Sequence, residues 1–394
     1  MLEHTLKNYE KALKENYLPV WENQLNIEPS AFLGKIKDEP LVSDKIVASA
    51  PMGLSGGFGF GAEGAPTPKA GNVPFERFES RAKDMYVNIC ISAKAVRLTG
   101  SGGAMANALD TEVKGAYNAA KWNVGRSLFG NGEGILTNCE GVAGGNTVKV
   151  ESTKYLIEGL IVDVYATGAA VGDEPQVNGK ALRIKYIDRA NKTVTFGGAS
   201  VTLEAGFITV QNSYGREITG LGAIFDDNID EIYGVKKSEN VIIKPIVVNA
   251  NNDIADSVIT KALRDAQDIK GSEVNTLLCG NSAYDAYVEY LRANNIRVEE
   301  RSHTIQGGFK AIKFLFANRE VDVVNEKFIP DGEMWGVDSN AFKFHKQKWA
   351  FAELQGGGIF NLMEGNSIYR ALLANYGELM CNNPGGCVRI TNCA

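Results

Sequence analysis

One stretch constrains the fold more than any other: the amphipathic run at residues 104–129, AMANALDTEVKGAYNAAKWNVGRSLF. Leu109, Val113, Ala116, Ala120, Val124 and Leu128 recur three or four apart, which places them on one face of an α-helix. The other positions are mostly charged, amide or small. Asn107 or Asp110 offers an N-terminal cap, and Gly130-Asn131-Gly132 is a strong stop. Such a helix is about 35–40 Å long, long for a globular domain. Glycine-rich segments flank it, so it reads either as a core helix that happens to be long or as a rigid rod from which less regular segments hang.

Ahead of the rod lie two segments with little core of their own. Leu2, Leu6, Tyr9 and Leu13 form an apolar stripe opposite Glu3, Lys7, Glu10, Lys11 and Lys14, and Pro19 closes this short helix. A helix of that length is marginal alone, so its stripe needs a partner in its own domain or in a neighbouring subunit. Pro19, Pro29 and Pro40 then divide an irregular stretch, so residues 1–45 read as an arm. Residues 50–74 are dominated by glycine and proline, with Met52, Leu54, Phe58 and Phe60 between them. Gly59–Gly64 matches GxGxxG, but Pro66 and Pro68 follow where a phosphate-binding helix would have to open. Exposed apolar residues on a long glycine-rich loop point to a segment that lies on another chain; the plainer alternative is a loose surface loop.

Residues 75–100 begin polar and helical in pattern and end strand-like in VNICIS. Between 146 and 219, TVKV, LIVDVYA, LRIKYI, TVTF and FITV are short strand candidates with turn chemistry between them, a small antiparallel barrel or sandwich inserted in the chain. Tyr165, Tyr186, Lys185 and Arg183 are too few to make its surface a nucleic-acid face. Residues 220–345 read as α/β, with Asp253 and Asn281 as candidate helix caps. Asp226, Asp227, Asp230 and Glu231 make an acidic cluster without the spacing of a calcium loop. The tail, 346–394, ends in strand-like VRI.

Composition excludes several function classes. No P-loop is present, and three histidines leave little for histidine-based catalysis. The six cysteines, at 90, 139, 279, 381, 387 and 393, lack zinc spacing and read as reduced and mostly buried or inert, with a C-terminal disulfide or weak metal site as the alternative. Net charge is −6, which offers no bulk grip on phosphates. No apolar run is long enough to cross a bilayer, and the charged first residues do not read as a secretory signal, so the expectation is a protein made in a cytoplasm.

The order of parts resembles the major capsid protein of tailed bacteriophages, with its Hong Kong 97-type α+β fold; YNAAKWNVGRSLFGNGEGIL and NYGELMCNNPGGCVRI look most like members from phages of Firmicutes hosts. The resemblance implies an N-terminal arm (1–45), an extended E-loop (46–80), a peripheral P-domain with the spine helix (81–145), an inserted β domain (146–219), an axial A-domain (220–345) and a P-domain return (346–394). It also implies a non-enzymatic shell protein without cofactor or metal, assembling as hexamers and pentamers around double-stranded DNA, in the virion. Leu2, Leu6, Tyr9, Leu13, Met52, Leu54, Phe58 and Phe60 would then make contacts between subunits. Some relatives crosslink a loop lysine to a neighbour's asparagine; the matching residue types here are Lys69, Asn382, Asn383 and Glu378. A separate scaffolding protein, a portal protein and a decoration protein are the partners implied. An encapsulin-like compartment shell is the alternative, and a dinucleotide-dependent enzyme on Gly59–Gly64 the remote one.

Overall fold

A computed structural model describes residues 11, 13–14, 30–51, 53, 55–64, 66–94, 102–294, 302–304, 310–353, 358–363 and 365–393. The chain is mixed helix and sheet. It divides into two compact units, each assembled from three separate stretches of sequence.

In the first unit the long helix spans Gly102–Ser127. It begins earlier than the spacing predicts, so Asn107 and Asp110 lie within the helical span and not at its start. Val113, Tyr117, Ala120 and Val124 pack on Val87, Ile89 and Ile91 of strand Lys83–Ser92 and on Ala371 and Leu373 of strand Ile368–Cys381. Those strands run antiparallel, Val87 opposite Leu373 and Ile89 opposite Ala371. Period 3.6 on the helix and period 2 on the strands thus supply the two faces of one core. Past the helix, glycines admit a close return of the chain. A Cβ on Gly220 would lie 2.5 Å from the carbonyl oxygens of both Ser127 and Leu128.

The same unit carries a closed β-barrel. Its strands follow the spatial order Ile135–Cys139, Gly206–Val210, Ile161–Ala166, Leu182–Asp188, Thr193–Phe196 and Thr147–Lys149, all antiparallel. The first and last meet through a Cys139–Val150 bridge, with Glu140 N donating to Lys149 O at 2.9 Å and Glu151 N to Asn138 O at 3.0 Å. Closure removes the free edges that an open sheet would expose. Val148, Val162, Val164, Ile184, Val194 and Ile208 fill the interior. Tyr165 is not a surface aromatic: it stacks on Phe207 and meets Tyr214 in a covered layer outside the wall.

The second unit is built on a seven-stranded mixed sheet, in the order Ile246–Asn249, Val388–Thr391, Met334–Val337, Thr276–Cys279, Arg319–Asn325, Lys310–Phe316, Ser302–Thr304. Helices Asp256–Lys270 and Asn281–Ala293 contribute Ile259, Leu263, Ala266, Tyr287 and Leu291 to its core. The cap positions are Ala255 and Gly280, neither with a side-chain bond; Asp253 closes the preceding turn instead, and Asn281 is the first helical residue. The tail is divided: Gln347–Gly377 belongs to the first unit and Glu378–Ala394 to the second. The cause is Val388 and Ile390, fully buried between strands Ile246–Asn249 and Met334–Val337.

Candidate assembly surfaces

In the second unit, strands Lys45–Pro51 and Phe75–Arg81 pair antiparallel over seven residues, from Lys45 opposite Arg81 to Pro51 opposite Phe75. They form a two-stranded flap. The helical pattern read at 75–81 is therefore corrected: FERFESR is a strand. Its polar residues suit either state, and cross-strand pairing decides. Ile46, Ala50 and Phe78 turn inward and are buried. The outward face is charged: Glu79 takes Lys45 at 2.5 Å and Arg77 at 2.7 Å, and the Lys45 bond, with the nearby cations, holds the Glu79 carboxyl below its ordinary range.

Beyond the strands the two legs of the flap run close together. Ser55 Oγ donates to Gly71 O at 2.8 Å. A Cβ on Gly71 would lie 2.5 Å from Gly56 N, so only glycine permits this approach. Gly59 of the GxGxxG match faces Pro68, whose Cγ would lie 3.0 Å from a Cβ there. The described residues of this stretch contain no helix, so the fingerprint lacks its context. Phe58 and Phe60 sit edge to face, 5.3 Å between centroids, and are 81% and 96% exposed. Two adjacent, strongly exposed apolar rings are uncommon on a protein surface.

The remaining expected site residues fare differently. Leu2, Leu6, Tyr9, Met52 and Leu54 lie outside the described residues. Leu13 is fully buried in the core of its own unit with Val113 and Trp349, and so has no surface left for a neighbour. Lys69 is exposed on the flap. Glu378 is buried in the second unit and accepts from its own Leu379 N at 3.0 Å and from Ser80 Oγ at 3.3 Å. Asn383 caps a short turn, accepting from Gly386 N at 3.1 Å, and Asn382 is half-buried beside it.

All six cysteines are free and only Cys90 is exposed. Burial pushes the Cys139 thiol to about 11 and that of Cys393 to about 12, far from the thiolate a nucleophile needs. In the acidic cluster, Asp226 and Asp230 serve turns, bonding Asn228 and Ser238. Among the described residues no group of metal-ligating side chains gathers, and no helix is long and apolar enough to cross a membrane.

No family model and no curated protein matches the sequence. Among solved structures, the chain is similar to one from the cyanophage A-1(L) capsid asymmetric unit, at 10% identity over 93% of both chains with a TM-score of 0.53. The fold is that of a cyanophage capsid chain. Weaker similarities are to a Gordonia phage Cozz chain (11% identity, 93% of this chain and 87% of that one, TM-score 0.46) and to a chain of the holo-SrpI encapsulin complex of Synechococcus elongatus PCC 7942 (9%, 91% and 85%, 0.45). Sequence reasoning marked the flap tip through its composition. It missed the flap strands Lys45–Pro51 and Phe75–Arg81 and the burial of Phe78 between them and the rest of the second unit.

Proposed function

We propose that this chain is a major capsid protein: a structural protein whose copies assemble as hexamers and pentamers into an icosahedral shell around phage double-stranded DNA. The observation that carries the reading is the exposed Phe58–Phe60 pair at the end of a glycine-locked flap, on a chain with a capsid-type fold. An isolated two-stranded hairpin is marginal in water. Burying each ring against another copy contributes roughly 1.5–3 kcal/mol. Repeated around a ring of copies, such head-to-tail contacts close a shell without any strong single interface. In this reading the flap is the E-loop, Gly102–Ser127 the spine helix of the P-domain, the seven-stranded sheet the A-domain, and the barrel an insertion. A scaffolding protein would guide closure in the host cytoplasm, a portal would occupy one vertex, and a decoration protein is a further partner. A net charge of −6 lets packaged DNA move past the wall instead of adhering to it.

Expression with and without a scaffolding partner, followed by negative-stain electron microscopy, tests the proposal. Closed particles of uniform diameter are the expected result. A chain that stays monomeric at high concentration under both conditions defeats it. Particles loaded with a co-encoded enzyme in place of DNA would favour the encapsulin-like alternative.

A further inference from the structure

The short strands Glu231–Ile232 and Val235–Lys236 pair with Ile232 opposite Val235, so Tyr233-Gly234 is a two-residue loop. Both loop residues have positive φ, 50° at Tyr233 and 80° at Gly234. This is the type I′ pattern, whose first position favours Asn, Asp or Gly. A bulky residue there is strained, because its Cβ crowds the backbone. The turn alone gives no reason for a tyrosine.

The flap gives one. The Tyr233 ring packs on Phe78 at 5.8 Å between centroids, and Phe78 is the fully buried residue of the flap strand. The Tyr233 carbonyl accepts from Glu79 N at 2.9 Å. Its buried hydroxyl donates to Leu379 O at 3.0 Å, tying the turn to strand Ile368–Cys381. Ser80, next in the flap strand, donates to Glu378, the neighbour of Leu379. Three consecutive flap residues are thus held at one place, two of them by a single turn residue.

We propose that Tyr233 is a latch, occupying a turn position unsuited to it in order to fix the root of the flap. The latch holds the flap through its backbone carbonyl and ring, and anchors itself through its hydroxyl. Because the strain sits in the turn and the holding contacts sit on the flap, the two separate experimentally. Tyr233→Asn suits the turn better than the native residue and removes the ring and hydroxyl. Tyr233→Phe keeps the ring and removes only the bond to Leu379.

Amide hydrogen exchange on the unassembled full-length chain tests the latch. In Tyr233→Asn, amides of 45–51 and 75–81 exchange about tenfold faster or more, through local opening of the flap. Amides of 276–279 and 320–324 in the seven-stranded sheet keep their rates. Tyr233→Phe gives the same pattern with a smaller change. Unchanged flap exchange in Tyr233→Asn overturns the proposal, and so does equal acceleration of flap and sheet, which would mark Tyr233 as an ordinary packing residue. The readout does not require particles, so failure to form shells and failure of the latch are distinguishable.

Discussion

Arg126 and Glu217 meet in a two-pronged ion pair almost closed to water, Nη1 to Oε2 at 2.8 Å and Nη2 to Oε1 at 2.5 Å, with side chains 5% and 9% exposed. The pair joins the last turn of the long helix to the segment that leaves the barrel. Arg126 also stands where a cation favours the helix dipole. Its fork geometry fixes the angle at which the chain returns, which a lysine could not do.

Removing one partner leaves the other charge buried and unpaired. Glu217→Ala is expected to lower stability by about 3–5 kcal/mol. A double replacement by apolar residues of similar size, Arg126→Met with Glu217→Leu, recovers most of that loss. Urea denaturation followed by far-UV circular dichroism measures both. A double variant no more stable than Glu217→Ala would show that the pair holds through hydrogen-bond geometry that apolar packing cannot replace.

The flap tip separates folding from assembly. Phe58→Ser and Phe60→Ser remove exposed rings, so stability changes stay within about 0.5 kcal/mol. Particle formation, followed by light scattering and electron microscopy, falls sharply in the double variant. Normal particles from that variant would remove the rings from the interface.

A short parallel strand should loosen in acid. Lys37–Pro40 pairs with Phe342–Lys346, and Glu39 there bonds Lys343 at 2.6 Å and faces His345 at 3.8 Å, with Lys346 on Asp38 at 2.7 Å. Burial, and then Lys343, hold His345 below its ordinary 6.5 despite the opposing pull of Glu39. The Lys343 bond holds Glu39 below its ordinary 4.5. Both groups bind protons more readily unfolded than folded. The contact is therefore at full strength above pH 6.5 and is lost as pH falls, first through the histidine step and then below 4.5 through the glutamate. Protection factors of amides at 342–346, measured from about pH 7.5 to 4 and corrected for the intrinsic rate at each pH, should fall. His345→Gln should remove the upper step and leave the lower one. An unaltered profile in that variant would assign the upper step elsewhere.

Much of this architecture is legible in the chain because local pattern and tertiary role coincide. Val113, Ala120 and Val124 recur at helical spacing and face the sheet. TVKV and TVTF alternate as the strands they become. Legibility fails where a distant partner decides. FERFESR becomes a strand because Lys45–Pro51 lies alongside it and Tyr233 holds its root. The barrel closes through Cys139 and Val150, a register that no local window contains. Leu13 reads as one member of an amphipathic stripe, and only the fold shows that Trp349, far along the chain, lies in the same core. At the flap tip, the glycine-rich composition matches the close approach of the two legs at Gly56 and Gly71.

The barrel supplies the last test, since its closure depends on a backbone approach that one atom can block. Gly206 pairs with Ala166 across the wall, and a Cβ on Gly206 would lie 1.8 Å from Tyr165 O. No flexible side chain can yield there, because the obstacle is backbone. Gly206→Ala must therefore push the strands Gly206–Val210 and Ile161–Ala166 apart, at a cost of about 1–3 kcal/mol. The shift also moves Tyr165 away from Phe207, its stacking partner at 5.5 Å. Amide exchange in 161–166 and 206–210 should accelerate while the seven-stranded sheet is unaffected. If the barrel is an insertion that the shell tolerates, particles still form from this variant with their diameter unchanged. Loss of particles with an intact flap would instead make the barrel part of the assembly interface.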